Sequence, residues 1–160
     1  MEKTLISACK NNQINVIKML SVMMPGANFN KIDDSGKTAL SYCAQNGNLD
    51  AAMILVALGA DVNWADNNKN TPLHLAAASK NKELLKYLLS FGVDINCQNE
   101  KGETPLFIAV LNKNKDMAEI FIQFNAKDLK NNEGKTAFDI ASENGMADEV
   151  RLIFNGLKNF

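Results

Sequence analysis

Apolar residues along this chain fall in short clusters at helical spacing, separated by brief polar runs. Leu73, Ala76 and Ala77 share one helical side, and a second apolar stretch, Leu84 to Leu89, follows with Glu83 and Lys86 turned the other way. The spacing predicts two short helices, the first with bulky then small residues on one side so that the second approaches closely. Leu5, Ala8, Ile14, Ile17 and Leu20 carry the same helical spacing at the start of the chain. The arrangement recurs at a fixed interval. Thr38, Thr71 and Thr104 stand 33 residues apart, each ahead of an apolar phrase, and Gly26, Gly59 and Gly92 keep the same interval. Such periodicity marks one supersecondary unit copied and stacked, because no single unit of this size buries its own apolar face.

Two phrases fill the interval. The first reads Thr71-Pro72-Leu73-His74-Leu75-Ala76-Ala77, echoed by Thr104-Pro105-Leu106-Phe107-Ile108-Ala109 and Thr38-Ala39-Leu40-Ser41-Tyr42-Cys43-Ala44. The second reads Gly59-Ala60-Asp61-Val62-Asn63 and Gly92-Val93-Asp94-Ile95-Asn96, with a looser copy at Gly26-Ala27-Asn28-Phe29-Asn30. Together they resemble the ankyrin repeat. The resemblance implies an all-α repeat protein, an ankyrin solenoid of five helix-turn-helix units with projecting β-hairpin loops. Residues 1–160 are read as one ankyrin-repeat domain, with units at 1–32 (an N-terminal cap), 33–65, 66–98, 99–130 and 131–160 (a C-terminal cap).

The local chemistry supports the helix starts. A threonine hydroxyl accepts from a free N–H of the first turn, and proline fits the first helical position because its missing donor had no partner there. Departures from the pattern predict irregularities. Ser21-Val22-Met23-Met24-Pro25 adds about two residues before Gly26 and is expected to lengthen a loop. Thr104 to Thr136 is one residue short, so Asn125-Ala126-Lys127-Asp128-Leu129 is expected to be less regular. Lys80 and Lys113 replace the turn glycines Gly47 and Gly145, with Asn81 or Asn114 as alternatives for the left-handed position. Lys69 replaces the glycine of the other fingers, which predicts a differently bent third tip. Ser142 and Glu143 suit a solvent-facing cap, and the last helix is expected to end in Val150-Arg151-Leu152-Ile153-Phe154.

Composition narrows the function classes. An apolar fraction of 46% with 22% charge suits a folded globular chain. No stretch reaches the roughly 18 uninterrupted apolar residues of a spanning helix, and polar residues soon follow Met1, so neither a membrane span nor a signal peptide is expected. A net charge of -1 gives no basic field for a phosphate backbone, so no nucleic acid is expected as partner. Three cysteines without metal-like spacing fit a reducing compartment. The cytoplasm is the expected address, with export lacking an obvious leader left open.

The sequence carries no catalytic or metal-ligand pattern, so an enzyme, a metal and a cofactor are not expected. His74 is the sole histidine, and the resemblance implies that it ties loops together by hydrogen bonding. Cys9 and Cys43 occupy alanine positions and read as small buried residues, in layers judged too far apart for a disulfide. Cys97 is the most accessible thiol expected but has no histidine near it in sequence. Gly36-Lys37-Thr38 and Gly134-Lys135-Thr136 imitate the end of a phosphate loop, yet Lys31 and Leu129 stand where its first glycine belongs. The Asp33-Asp34 pair lies on a fingertip, where both carboxylates stay ionised.

The resemblance implies a curved stack that binds a protein partner through its fingertips and the exposed side of each first helix. Five layers at roughly 10 Å make a strip about 40 Å long, enough for about 800 Å² of contact. Candidate partner-binding residues are Trp64, Asn67, Asn68 and Asn70 on the third finger, Gln98, Glu100, Lys101 and Glu103 on the fourth, and Leu111 with Asn112 on the adjoining helix. Trp64 either anchors a partner or covers a neighbouring loop. Leu58, Phe91 and Phe124 are expected to seal the core between layers. The leading reading is a monomeric, non-enzymatic interaction module serving as adaptor, inhibitor or assembly subunit. The alternative is a structural homo-oligomer associating through the apolar outer helix near Met53–Ala57, unless the Val22–Pro25 loop covers that helix.

Overall fold

A computed structural model describes residues 2–151 of the chain. It contains helices α1 (Glu2–Lys10), α2 (Ile14–Met23), α3 (Ala39–Asn46), α4 (Leu49–Ala57), α5 (Pro72–Ala78), α6 (Lys82–Leu89), α7 (Pro105–Leu111), α8 (Lys115–Gln123) and α9 (Ala137–Glu143). After a break at 144–146, residues 147–151 are helical again, while the expected Leu152-Ile153-Phe154 ending lies outside the described residues. The odd-numbered helices pack in one row, α1 on α3, α3 on α5, α5 on α7 and α7 on α9. The even-numbered helices pack in a second row, and each also leans on the helix that precedes it. The chain is therefore an all-α repeat stack built from copies of one helix pair.

Burial follows the predicted pattern. Leu40, Leu73, Leu84, Leu85, Leu88, Leu106, Met117 and Phe121 are fully or almost fully enclosed, and Ala44, Ala76 and Ala109 supply the small contacts. Cys9 and Cys43 are each 1% exposed, as small core residues should be. Their thiols touch nonetheless, and both are free. That contact, together with burial, pushes the Cys43 thiol well above its ordinary range. The Leu58, Phe91 and Phe124 column does not seal the core. These side chains are 39%, 46% and 49% exposed, because each follows the last helical turn and projects past the end of its outer helix. Phe91 rests its ring edge-on against Tyr87, 5.1 Å between centroids.

The units join through fingers that connect each helix pair to the next. Each finger is nucleated by one Asp or Asn whose side chain caps two backbone N–H groups. Asp33 takes those of Ser35 and Lys37, Asp66 those of Asn68 and Asn70, Asn99 those of Lys101 and Glu103, and Asn131 those of Glu133 and Lys135. No strand forms among the described residues. The expected β-hairpins are tight side-chain-capped turns. Neighbouring fingers then bond directly: Asn67 N–H donates to Ser35 O (3.1 Å), Glu100 N–H to Asn68 O (2.9 Å) and Asn132 N–H to Lys101 O (3.0 Å).

Glycine and asparagine alternate with a purpose in these contacts. A Cβ on Gly36 or Gly102 would lie 2.8 Å from the backbone nitrogen of Asn67 or Asn132 in the next finger. The free space lets those asparagines reach back, Asn67 Nδ2 to Asp34 O (3.0 Å) and Asn132 Nδ2 to Glu100 O (2.9 Å). Where Lys69 replaces glycine, the next finger carries Glu100 in place of asparagine. Lys69 holds φ 60 and the third tip keeps its shape, closed by Asp66 N–H to Asn70 O at 3.0 Å, so it is not bent differently.

Other irregularities resolve similarly. Lys113 adopts the left-handed conformation at φ 54, at about 1–2 kcal/mol. Lys80 does not, because α5 ends early and Ser79 runs extended. Asn81 and Asn114 keep φ -98 and -90, since they stand at the N-terminal ends of α6 and α8. Asn125 at φ 61 stands in for the missing glycine, and Ala126 N–H meets Phe121 O at 2.9 Å as Ala60 meets Leu55. The exit of α8 is thus regular, but residues 126–130 lack the turn that follows in the other units, where Asn63 N–H meets Asp61 Oδ1 and Asn96 N–H meets Asp94 Oδ1, so this connection is the less regular one expected. The insertion near Pro25 does not simply lengthen a loop: α2 runs to Met23 and Met24 is buried at 6% exposure.

Buried Asn99 bonds both Asn70 Oδ1 (3.0 Å) and Glu103 Oε2 (3.1 Å) as well as its own finger. Asn99→Ala is expected to lower the unfolding free energy by about 2–3 kcal/mol in urea titration, and exposed Asn132→Ala by about 1 kcal/mol. Equal losses would contradict the burial argument.

Candidate interaction surface

The fingers and the outward side of the odd-numbered helices form one continuous face. At its start Tyr42 donates to Asp33 Oδ2 (2.5 Å), with Lys10 Nζ and Lys37 Nζ over its ring at 5.8 and 5.4 Å. Burial pushes the Asp33 carboxyl up, but the Ser35 and Tyr42 hydroxyls and the Lys37 and Ser35 N–H groups outweigh it and hold it at about 2. Asp33 is a fixed anion that shapes its finger.

Several candidate residues are committed to the scaffold. The Trp64 indole is half-buried and its Nε1–H donates to Gly36 O (3.0 Å), so the ring ties its finger to the preceding one. Asn67 Nδ2 is used as described. Gln98 Nε2 donates to Gly102 O (2.7 Å) and Lys130 O (2.9 Å), and Asn112 Nδ2 turns back to Ile108 O (2.8 Å). Asn70 and Glu103 both receive Asn99. Exposed side chains remain at Asn68, Glu100, Lys101 and Leu111, the last 48% exposed.

Two cavities of about 350 Å³ each open on this face, one on either side of the fourth finger. The first sets Phe107, Leu111 and Ile140 beneath Glu100, Glu103 and Glu133, while the second is walled by Asn68, Asn70, Asn99 and Ile108. They share Glu100, Lys101 and Glu103. Sequence pattern picks out the fourth finger and Leu111, but Ile140 and Glu133 join the site only through stacking of the next unit. A larger cavity of about 640 Å³ lies away from the fingers, lined by Lys80, Lys113 and Lys115 with little apolar floor.

His74 stands behind this face at 2% exposure. Its Nδ1 accepts from Thr71 N–H (3.2 Å), and its Nε2–H donates to Glu103 O (3.0 Å) across to the next finger. Cys97 Sγ lies 3.9 Å from Nδ1, so the fold supplies the histidine that sequence neighbours lack. The pair is not an activated thiolate. Burial pushes the Cys97 thiol up and the His74 imidazole down, leaving both neutral. Among the described residues no cluster of three or more His, Cys, Asp or Glu could hold a metal, and no helix is long and apolar enough to cross a membrane.

One family model matches the sequence of this stack. Ankyrin repeats (3 copies) match residues 5–99 and again 77–159. The chain belongs to the ankyrin repeat family. Ankyrin repeats generally mediate protein–protein interaction. No curated protein matches it significantly in sequence.

The neutral His74 of this ankyrin stack makes stability depend on pH. Its folded pKa lies below the ordinary 6.5, chiefly through burial, with Glu103 O and the Asp66 and Glu103 charges offsetting only part. Below 6.5 the unfolded chain binds more protons, so stability is complete above that pH and falls as pH drops beneath it. Urea midpoints measured from about pH 7.5 to about pH 5.5 should decline in the native protein and flatten in His74→Gln.

Proposed function

We propose that this chain is a monomeric interaction module that holds one protein partner against the face of fingers and inner helices. It acts by occupying a surface, as adaptor, inhibitor or assembly subunit. The observation that carries the reading is Leu111, a large apolar side chain 48% exposed at the wall of a cavity on that face. An apolar group ringed by polar ones is the usual core of a contact, since the ring excludes water from the anchor. The scaffold beneath it is held by inter-unit hydrogen bonds, so little conformational freedom would be lost on binding.

A second reading rests on a different surface. Met19, Val22 and Met23 on α2 and Met53 on α4 are 47–81% exposed, and the two helices are neighbours. The stretch at Val22–Met23 does not bury Met53, so the outer row keeps an apolar patch suited to self-association.

Leu111→Arg is expected to weaken capture of a native partner in affinity pulldown by at least about tenfold while leaving circular dichroism unchanged. Undiminished capture would count against the finger face. Light scattering at roughly tens of micromolar separates the second reading: a monomeric mass removes it, and a dimer abolished by Met53→Glu supports it.

A further inference from the structure

The two cavities beside the fourth finger differ in a way that specifies what they receive. This inference rests on the finger-face reading and adds the chemistry of the occupant. In the first cavity Leu111 is the exposed apolar wall, and buried Phe107 and Ile140 close the floor. Its rim is acidic. Glu100, Glu103 and Glu133 stand against two lysines, and Lys135 is already held by Glu143 at 2.8 and 3.1 Å. Among the described lining residues, Lys101 is the one cation without an ion pair.

Lys69 stands where Gly36 and Gly102 leave room for an asparagine strap, and position 100 is a glutamate whose exposed side chain lies at the groove. The second cavity continues the groove with Asn68, Asn70 and Asn99 in its wall. Asn99 is committed to its own finger and to Asn70, so the exposed Asn68 carboxamide and the Nδ2 of Asn70 are what this wall offers to main-chain groups of any sequence. Successive layers are about 10 Å apart, the reach of about three extended residues.

We propose that this groove docks an extended, basic–apolar segment of a partner protein: one aliphatic or aromatic side chain beside Leu111, flanked by Lys or Arg directed at Glu100, Glu103 and Glu133. Carboxylates at the rim repel nucleic-acid phosphates, so the cationic occupant is a polypeptide. The apolar wall fixes register and the carboxylates choose the flanking charge, the usual division of labour in peptide recognition.

The probe is a random-peptide phage library selected on the whole chain. Enriched sequences are expected to join Lys or Arg to Leu, Ile, Met or Phe, and the synthetic peptide should shift the amide resonances of Glu100, Leu111 and Glu133. Glu100→Lys with Glu133→Lys, both on exposed tips, should weaken that peptide at least about tenfold and favour its Lys-to-Glu counterpart. Enrichment of acidic or uncharged sequences that still shift Leu111 would overturn the charge rule and leave the finger-face reading standing. Shifts confined to the outer helices would overturn both. Absence of any enriched sequence would overturn segment docking, and the Leu111→Arg capture assay would then decide the broader reading separately.

Discussion

The fingertips and helix ends of each repeat carry backbone N–H and C=O groups that the next repeat satisfies. Asn46, Asn81, Asn114 and Asn144 direct their Nδ2 groups to the carbonyls of Cys9, Gly47, Ser79 and Val110, each in the preceding unit, at 2.6–2.9 Å. Asn30 and Asn96 accept from Asp61 and Lys127 N–H at 2.7 Å on the other side of the stack. A helix of seven to ten residues is marginal alone, so its persistence depends on these bonds and on apolar faces shared between layers. Exposed ion pairs such as Lys82–Asp116 at 3.0 Å bridge the same layers and add little.

Rigidity and selectivity are divided among the residues of each finger. The first position, Asp or Asn, is consumed by capping, and the next either straps backward, as Asn67 and Asn132 do, or is released, as Glu100 is. Under the finger-face proposal, released positions and the outward helix side chains are where a partner would be chosen. Replacing them would cost the stack little, while replacing Asn99 or His74 removes bonds between units.

Much of this was legible in the sequence. The 33-residue interval and the Thr and Gly phrases determine the helix pairs, their row-wise packing and the burial of Cys9, Cys43 and His74. Side-chain commitments were not legible. Trp64, Asn67 and Gln98 have the residue types of a binding tip, yet their partners Gly36, Asp34 and Lys130 lie about a repeat away and become neighbours only after stacking. Leu58, Phe91 and Phe124 read as core by hydrophobicity alone, whereas their place after the last helical turn exposes them. The cavity beside Leu111 likewise needs Ile140 and Glu133 from the next unit.

The interlocking of repeats is tested most directly by hydrogen exchange at the backbone amides of Asn67, Glu100 and Asn132, which sit in surface turns but donate to the preceding finger. If the fingers are locked as described, these amides exchange within about a factor of ten of the buried helix amides of Leu84 and Leu85. Exchange at rates near those of an unstructured chain, with the helices still protected, would show that the fingers move independently and would contradict the account.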